Sequence, residues 1–151
     1  MYVGPVVVDE TKLAEFVSVI PKDSGVLELG SGIGACSIAI RRLTSKFLAV
    51  EPDARLLRCI IANAETHHLQ LGAINAMISP LSKLSLLDRT ISEDTIHEDD
   101  AIRTVPLEEV LRCVGHAFDY IVVNEPSFLE HMTKYYPDFV AGCIVLKNYV
   151  H

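Results

Sequence analysis

Val26-Leu27-Glu28-Leu29-Gly30-Ser31-Gly32-Ile33-Gly34 is a short apolar run that passes into a turn with glycine at every second position. The run suits one buried strand. The turn opens a segment from Cys36 to about Leu43 that places Ile40 and Leu43 on one helical face. Glycines in such a turn let the backbone approach a ligand and take angles that a Cβ forbids. The turn also ends at a helix N-terminus, where unpaired N–H groups favour negative charge. Farther on, Lys46-Phe47-Leu48-Ala49-Val50 reads as a second strand with Glu51 at its C-terminal end. In a doubly wound sheet these two strands are neighbours, so Glu51 sits beside the glycine turn. A carboxylate there can accept hydrogen bonds from both hydroxyls of a ribose.

Upstream, residues 1–8 are valine-rich and read as an extended arm. Asp9 is a helix N-cap, and Leu13, Phe16, Val17 and Ile20 form one buried stripe of a helix at about 10–20, ended by Pro21. Downstream, Pro52 and Asp53 start a helix with Leu56, Leu57, Ile60, Ile61 and Ala64 on its apolar face. Arg55 and Arg58 fall off that stripe and are read as solvated. His67 and His68 close the helix, where a cationic side chain suits the dipole. Adjacent helical residues point apart, so this pair is not read as a metal site.

The third strand is Ala73 to Ile78, with Ser79 and Pro80 at its end. Leu81, Leu84, Leu86 and Leu87 are expected to pack on the sheet edge, and the acidic stretch 92–100 is a solvated loop. Pro106 begins a helix with Glu108 and Glu109 in its first turn, Gly115 just past its end, and Leu107, Val110, Leu111 and Val114 buried. Strand four is Asp119 to Val123, followed by Asn124-Glu125-Pro126-Ser127. A short helix from about Ser127 to Tyr135 ends at Pro137, and strand five is about Gly142 to Leu146.

Alternation of strands with helices predicts an α/β fold: a doubly wound, Rossmann-like, mostly parallel sheet of order 3-2-1-4-5, in one domain over residues 1–151. Ligands of such sheets bind at the C-terminal strand ends around the switch point. Glu28, the three glycines, Glu51, Ser79 and Asn124 all fall there.

A formal net charge of -7, with no Lys/Arg cluster, argues against nucleic acid as a partner. Cys36, Cys59, Cys113 and Cys143 form no C-x-x-C pair, sit in apolar contexts and read as buried free thiols in a reducing cytoplasm. The N-terminus does not read as a signal peptide, and no apolar run approaches the roughly 20 residues that span a bilayer.

Gly30, Gly32 and Gly34 form G-x-G-x-G, not the G-x-G-x-x-G of dinucleotide turns. With Glu28 two residues before the first glycine, the stretch resembles motif I of the class I S-adenosylmethionine-dependent methyltransferases. The resemblance covers about residues 20–147. It implies that the turn from Gly30 through Ser31 holds the methionine part of S-adenosylmethionine and that Glu51 holds its ribose. Within that family the chain is most similar to the FkbM-like group. Ala49-Val50-Glu51-Pro52 resembles that group's strand-two end. Ala76-Met77-Ile78-Ser79 resembles its A-L-x-D segment, with Ser79 in the Asp position, and Val105-Pro106-Leu107-Glu108-Glu109-Val110-Leu111 resembles its helix before strand four. The resemblance thus adds Pro52, Met77, Ser79 and Asn124 to the expected cofactor contacts. The chain departs from the group where D-V-E-G is replaced by Asn124-Glu125-Pro126-Ser127, and the family's last two strands are not found.

Methyl transfer is an in-line displacement in which positioning supplies much of the catalysis. A general base helps when the acceptor is a hydroxyl or an ammonium. Glu125 and His131 are the candidate catalytic groups, with Tyr135 and Tyr136 nearby in sequence; no metal is expected. Two functions stay open: O-methylation of a small molecule, or a non-catalytic cofactor-binding module acting through a partner. Cys143-Ile144-Val145-Leu146 is expected to form an apolar sheet edge. Either the N-terminal arm covers it, or the protein self-associates there, or more polypeptide does.

Overall fold

The structure, a computed structural model, describes residues 10–32, 34–81 and 102–149. The expectations for the N-terminal arm, Asp9, Leu84, Leu86, Leu87 and the acidic stretch lie outside these residues.

Strand β1 (Val26–Leu29) is buried at all four positions and lies at the centre of a parallel sheet. Its neighbours are β2 (Phe47–Val50) and β6 (Tyr120–Val123), in register so that Leu27 lies opposite Leu48 and Ile121. Outside them run β3 (Ala73–Ile74) and β7 (Ile144–Lys147). The order β3-β2-β1-β6-β7 is the expected 3-2-1-4-5 arrangement, with the switch point at β1.

Alternate residues of each strand feed the two sides of the sheet, as a strand buried on both faces requires. On one side Leu27, Leu29, Leu48, Val50, Ile121 and Val123 pack with residues of α4 (Leu107–Val114) and α5 (Pro126–Tyr135). On the other, Val26, Phe47, Ala49 and Val122 pack with α1 (Glu10–Val17) and α2 (Ala35–Leu43), through Val17, Cys36 and Ile40. Helix α3 (Ala54–Thr66) starts at an Asp53 N-cap whose carboxylate accepts from the N–H groups of Arg55 and Leu56. Gly115 ends α4 in the left-handed conformation, φ 71°.

The structure departs from the sequence reading in four places. Cys59 and Cys113, expected to be buried, are exposed, because they fall off the buried faces of α3 and α4. The run Ala73–Ile78 is two strands. β3 stays in the main sheet, and β4 (Met77–Ile78) leaves it to pair in parallel with β5 (Thr104–Val105). Between them, Asn75 Nδ2 donates to the carbonyls of Glu51 and Pro52, both at 2.9 Å, which ties the chain to the β2 tip. Ile61 is 41% exposed and is not part of the buried α3 face, which is carried by Ile60 and Ala64. Pro137 ends α5 but also opens a short helix, α6 (Pro137–Ala141), that lacks the length to show a period.

Candidate functional site

The C-terminal tips of β1, β2 and β6 converge on a crevice, and the three glycines of the turn serve it in three different ways. All have positive φ: 74° at Gly30, 58° at Gly32 and 90° at Gly34. A Cβ on Gly30 would lie 2.8 Å from the Phe128 ring, so this glycine admits α5. A Cβ on Gly34 would lie 3.1 Å from Ile60, so the third admits α3. At Gly32 a Cβ would meet nothing within 4 Å. Gly32 faces open space, the side from which a ligand would approach.

Glu51 closes the crevice from β2. It is 4% exposed, and its carboxylate accepts from Gly32 N–H through Oε1 and from Asp53 N–H through Oε2, each at 2.9 Å. A carboxylate oxygen has two acceptor positions, so each retains one for a ligand hydroxyl. Burial pushes the Glu51 carboxyl up to about 7; the two backbone bonds oppose that shift, and the charges of Glu125 and Asp53 add to it. Pro52, half-buried, follows at the rim.

Beneath the turn, Glu28 is fully buried. Its Oε1 accepts from the Ser37 hydroxyl on α2, and its Oε2 accepts from Asn124 Nδ2 at 3.0 Å. Burial raises the Glu28 carboxyl above the ordinary range, against the pull of those bonds. Asn124 Oδ1 accepts in turn from Asn148 Nδ2 at 2.8 Å. One polar chain thus crosses the strand tips from the end of β7 to the start of α2. Ser31 Oγ, buried in the turn itself, lies beside the Glu28 carboxyl and helps to hold it down, without a hydrogen bond of good geometry. Burial, followed by the Glu28 charge, pushes the Cys36 thiol up, so it stays protonated and is not a nucleophile.

The remaining expected contacts are placed differently. The Met77 side chain is 1% exposed and packs in the core, and its N–H is spent on Arg103 O at 2.8 Å. Ser79 is also buried, with its N–H donating to Val105 O and its hydroxyl accepting from Leu81 N–H. Pairing with the β5 segment therefore consumes the N–H groups of Met77 and Ser79. Glu125 stands at the N-cap position of α5, close enough to raise the Glu51 carboxyl. His131 lies one turn into α5, 8% exposed, with Nε2 unpartnered and its ring 4.6 Å from that of Tyr135. Burial, then the Lys134 charge, holds its imidazolium form below the usual range.

Two site residues escape sequence reading. Asn75 and Asn148 are polar residues at strand ends with no local motif; only the fold reveals that they brace the β2 tip and Asn124. A separate cleft of about 430 Å³ lies at the other end of the sheet, bordered by Arg41, Ser45, Gln70 and His116, and holds none of the expected residues. Among the described residues no group of three His, Cys, Asp or Glu side chains converges as a metal site, and no helix is long and apolar enough to cross a membrane.

No protein-family model matches the chain. A search of curated proteins finds no similar sequence. Solved structures do share the fold. A ribosomal protein L11 methylase from Lactobacillus delbrueckii subsp. bulgaricus superposes with a TM-score of 0.53 at 18% identity, over 88% of this chain and 53% of that one. A precorrin-8w decarboxylase from Methanobacterium thermoautotrophicum gives 0.56 at 14% identity, over 95% and 63%. A protein assigned as a caffeoyl-CoA O-methyltransferase from Staphylococcus aureus gives 0.50 at 16% identity, over 87% and 54%. The chain thus has a methyltransferase-like fold and matches little more than half the length of these neighbours.

Proposed function

We propose that this chain binds S-adenosylmethionine in the crevice between Gly32 and Glu51 and transfers its methyl group to a hydroxyl of a small molecule. The observation that carries the reading is the bond from Gly32 N–H to Glu51 Oε1, made at a glycine whose outer side is open. It fixes an acceptor carboxylate beside a backbone surface that no described side chain beyond its chain neighbours approaches. Glu51 would hold the ribose hydroxyls, with Pro52 at the rim. Gly30, Ser31, Gly32 and Gly34 would line the methionine part. Glu28 and Asn124 would brace the turn from below. Met77 and Ser79 would contribute shape more than hydrogen bonds, because their N–H groups are already used.

When bound, S-adenosylmethionine supplies a methyl group already activated by its sulfonium. The charge suits the crevice, since Glu51 and Glu125 place carboxyls where a cation would rest. His131 is held neutral near pH 7, so its Nε2 can take the proton released by an acceptor hydroxyl. Glu125 is the alternative acceptor of that proton, or a contact for the methionine amine. The FkbM-like affinity and the cytoplasmic setting belong to this proposal and rest on the sequence motifs and the cysteine pattern.

The test is formation of S-adenosylhomocysteine when the protein is incubated with S-adenosylmethionine and a small-molecule extract. Turnover that His131→Gln reduces supports the reading. The second reading, a cofactor-binding module that acts through a partner, draws on β7, which among the described residues is an edge strand with Ile144 55% exposed. Cofactor binding without turnover would favour it.

A further inference from the structure

Among the described residues, the buried side-chain polar atoms that lack a hydrogen-bond partner are Ser31 Oγ, Ser127 Oγ and His131 Nε2. A buried polar group left unpaired is costly, and native structures contain few of them. These three are not scattered. Ser31 follows Gly30 and Ser127 precedes Phe128, and Gly30 and Phe128 are the pair in tight contact. The two hydroxyls therefore flank one contact between the glycine turn and the start of α5. His131 stands four residues after Ser127, on the same helical face. Residues four apart on a helix lie one above the other, which puts His131 on the turn that follows Ser127. Tyr135 packs against that ring from the following turn, with centroids 4.6 Å apart, and restricts its motion.

We propose that Ser127 Oγ and His131 Nε2 form a subsite on α5 that binds an uncharged hydroxyl group, the acceptor end of the reaction. The assignment of this hydroxyl as a methyl acceptor rests on the function proposed above; the binding itself does not. A serine hydroxyl can donate to an incoming oxygen, and a neutral imidazole nitrogen can accept its proton, so one alcohol or phenol satisfies both orphaned atoms. An anionic group would meet the carboxyls of Glu51 and Glu125. A cationic ammonium would be drawn to those carboxyls and, having no acceptor, could not take the Ser127 O–H bond. The Tyr135 ring packed on His131 favours an apolar body behind the hydroxyl.

Nuclear magnetic resonance of the His131 ring tests this, with the signal assigned by its loss in His131→Gln. The probes are phenol, toluene and benzoate, each titrated with and without S-adenosylhomocysteine. Phenol is expected to move the His131 signal saturably, while toluene and benzoate leave it in place. Ser127→Ala should weaken phenol about tenfold, and Ser127→Thr, which keeps the hydroxyl, should retain it. S-adenosylhomocysteine affinity, read by calorimetry, should stay within twofold in each variant. A phenol response that is absent in both states, or equalled by toluene, or unchanged in Ser127→Ala, overturns the subsite. If S-adenosylhomocysteine fails to bind while phenol behaves as described, the donor reading falls and the hydroxyl subsite stands. If S-adenosylhomocysteine binds and phenol does nothing, the subsite falls alone.

Discussion

Glu51 carries two opposed pH effects. Its carboxyl is raised to about 7 by burial, so the fold holds the protonated form better than the unfolded chain does. Its stabilising contribution is complete below the ordinary 4.5 and is lost as the pH rises through about 7. Urea melts of the free protein should therefore show lower stability at pH 8 than at pH 5, a trend to which Glu28 adds in the same direction. Ligand binding should run the other way. Ribose hydroxyls donate to the ionised carboxylate, so S-adenosylhomocysteine should bind about tenfold more tightly at pH 8 than at pH 6. Charge-assisted bonds contribute roughly 1.5–3 kcal/mol, so Glu51→Ala should weaken the ligand by about tenfold or more and remove most of its pH dependence. The glycines give a second residue-scale contrast. Gly32→Ala places a Cβ in open space at φ 58°, so it should lower the melting temperature modestly but abolish ligand binding. Gly30→Ala drives a Cβ into the Phe128 ring and should act chiefly on stability, as thermal melts of the two variants would show. The motif makes the turn readable from sequence, but it does not distinguish these roles. Which glycine touches α5, α3 or nothing depends on helices distant in the chain.

At the scale of elements, β1, α2, β2 and α4 form close to where apolar period and end signals place them, because each is a local pattern finished by a local stop. The run at Ala73–Ile78 reads as one strand because nothing within it marks a break. The break comes from β5, some thirty residues on, which offers Met77 and Ile78 a partner, and from the Asn75 amide, which holds the chain to the β2 tip. Asn148 is hidden for the same reason. Its amide orients Asn124, and Asn124 donates to the buried carboxyl of Glu28. Loss of one member leaves a buried acceptor unsatisfied. Asn148→Ala should therefore lower stability by about 1–3 kcal/mol in denaturant melts and weaken S-adenosylhomocysteine by several-fold, although Asn148 follows a strand at the edge of the sheet. A variant that melts and binds like the parent would show that the relay does not brace the crevice.

For the whole molecule, the doubly wound order follows from strands and helices that alternate in a single direction, and was readable for that reason. The apolar edge at β7 was readable too, but not what lies against it. Among the described residues β7 pairs only with β6, and Ile144 is 55% exposed on an apolar edge without proline. Such an edge offers unpaired N–H and C=O groups to another strand. Sedimentation should show the average mass rising with protein concentration, and Ile144→Lys should hold the protein at the monomer mass. A parent protein that stays monomeric at every concentration would contradict this.

Calorimetric titration with S-adenosylhomocysteine, alongside NAD, decides whether the crevice between Gly32 and Glu51 is an S-adenosylmethionine site. One saturable S-adenosylhomocysteine site per chain and no heat from NAD are expected. Binding of NAD without S-adenosylhomocysteine, or of neither, would contradict that assignment.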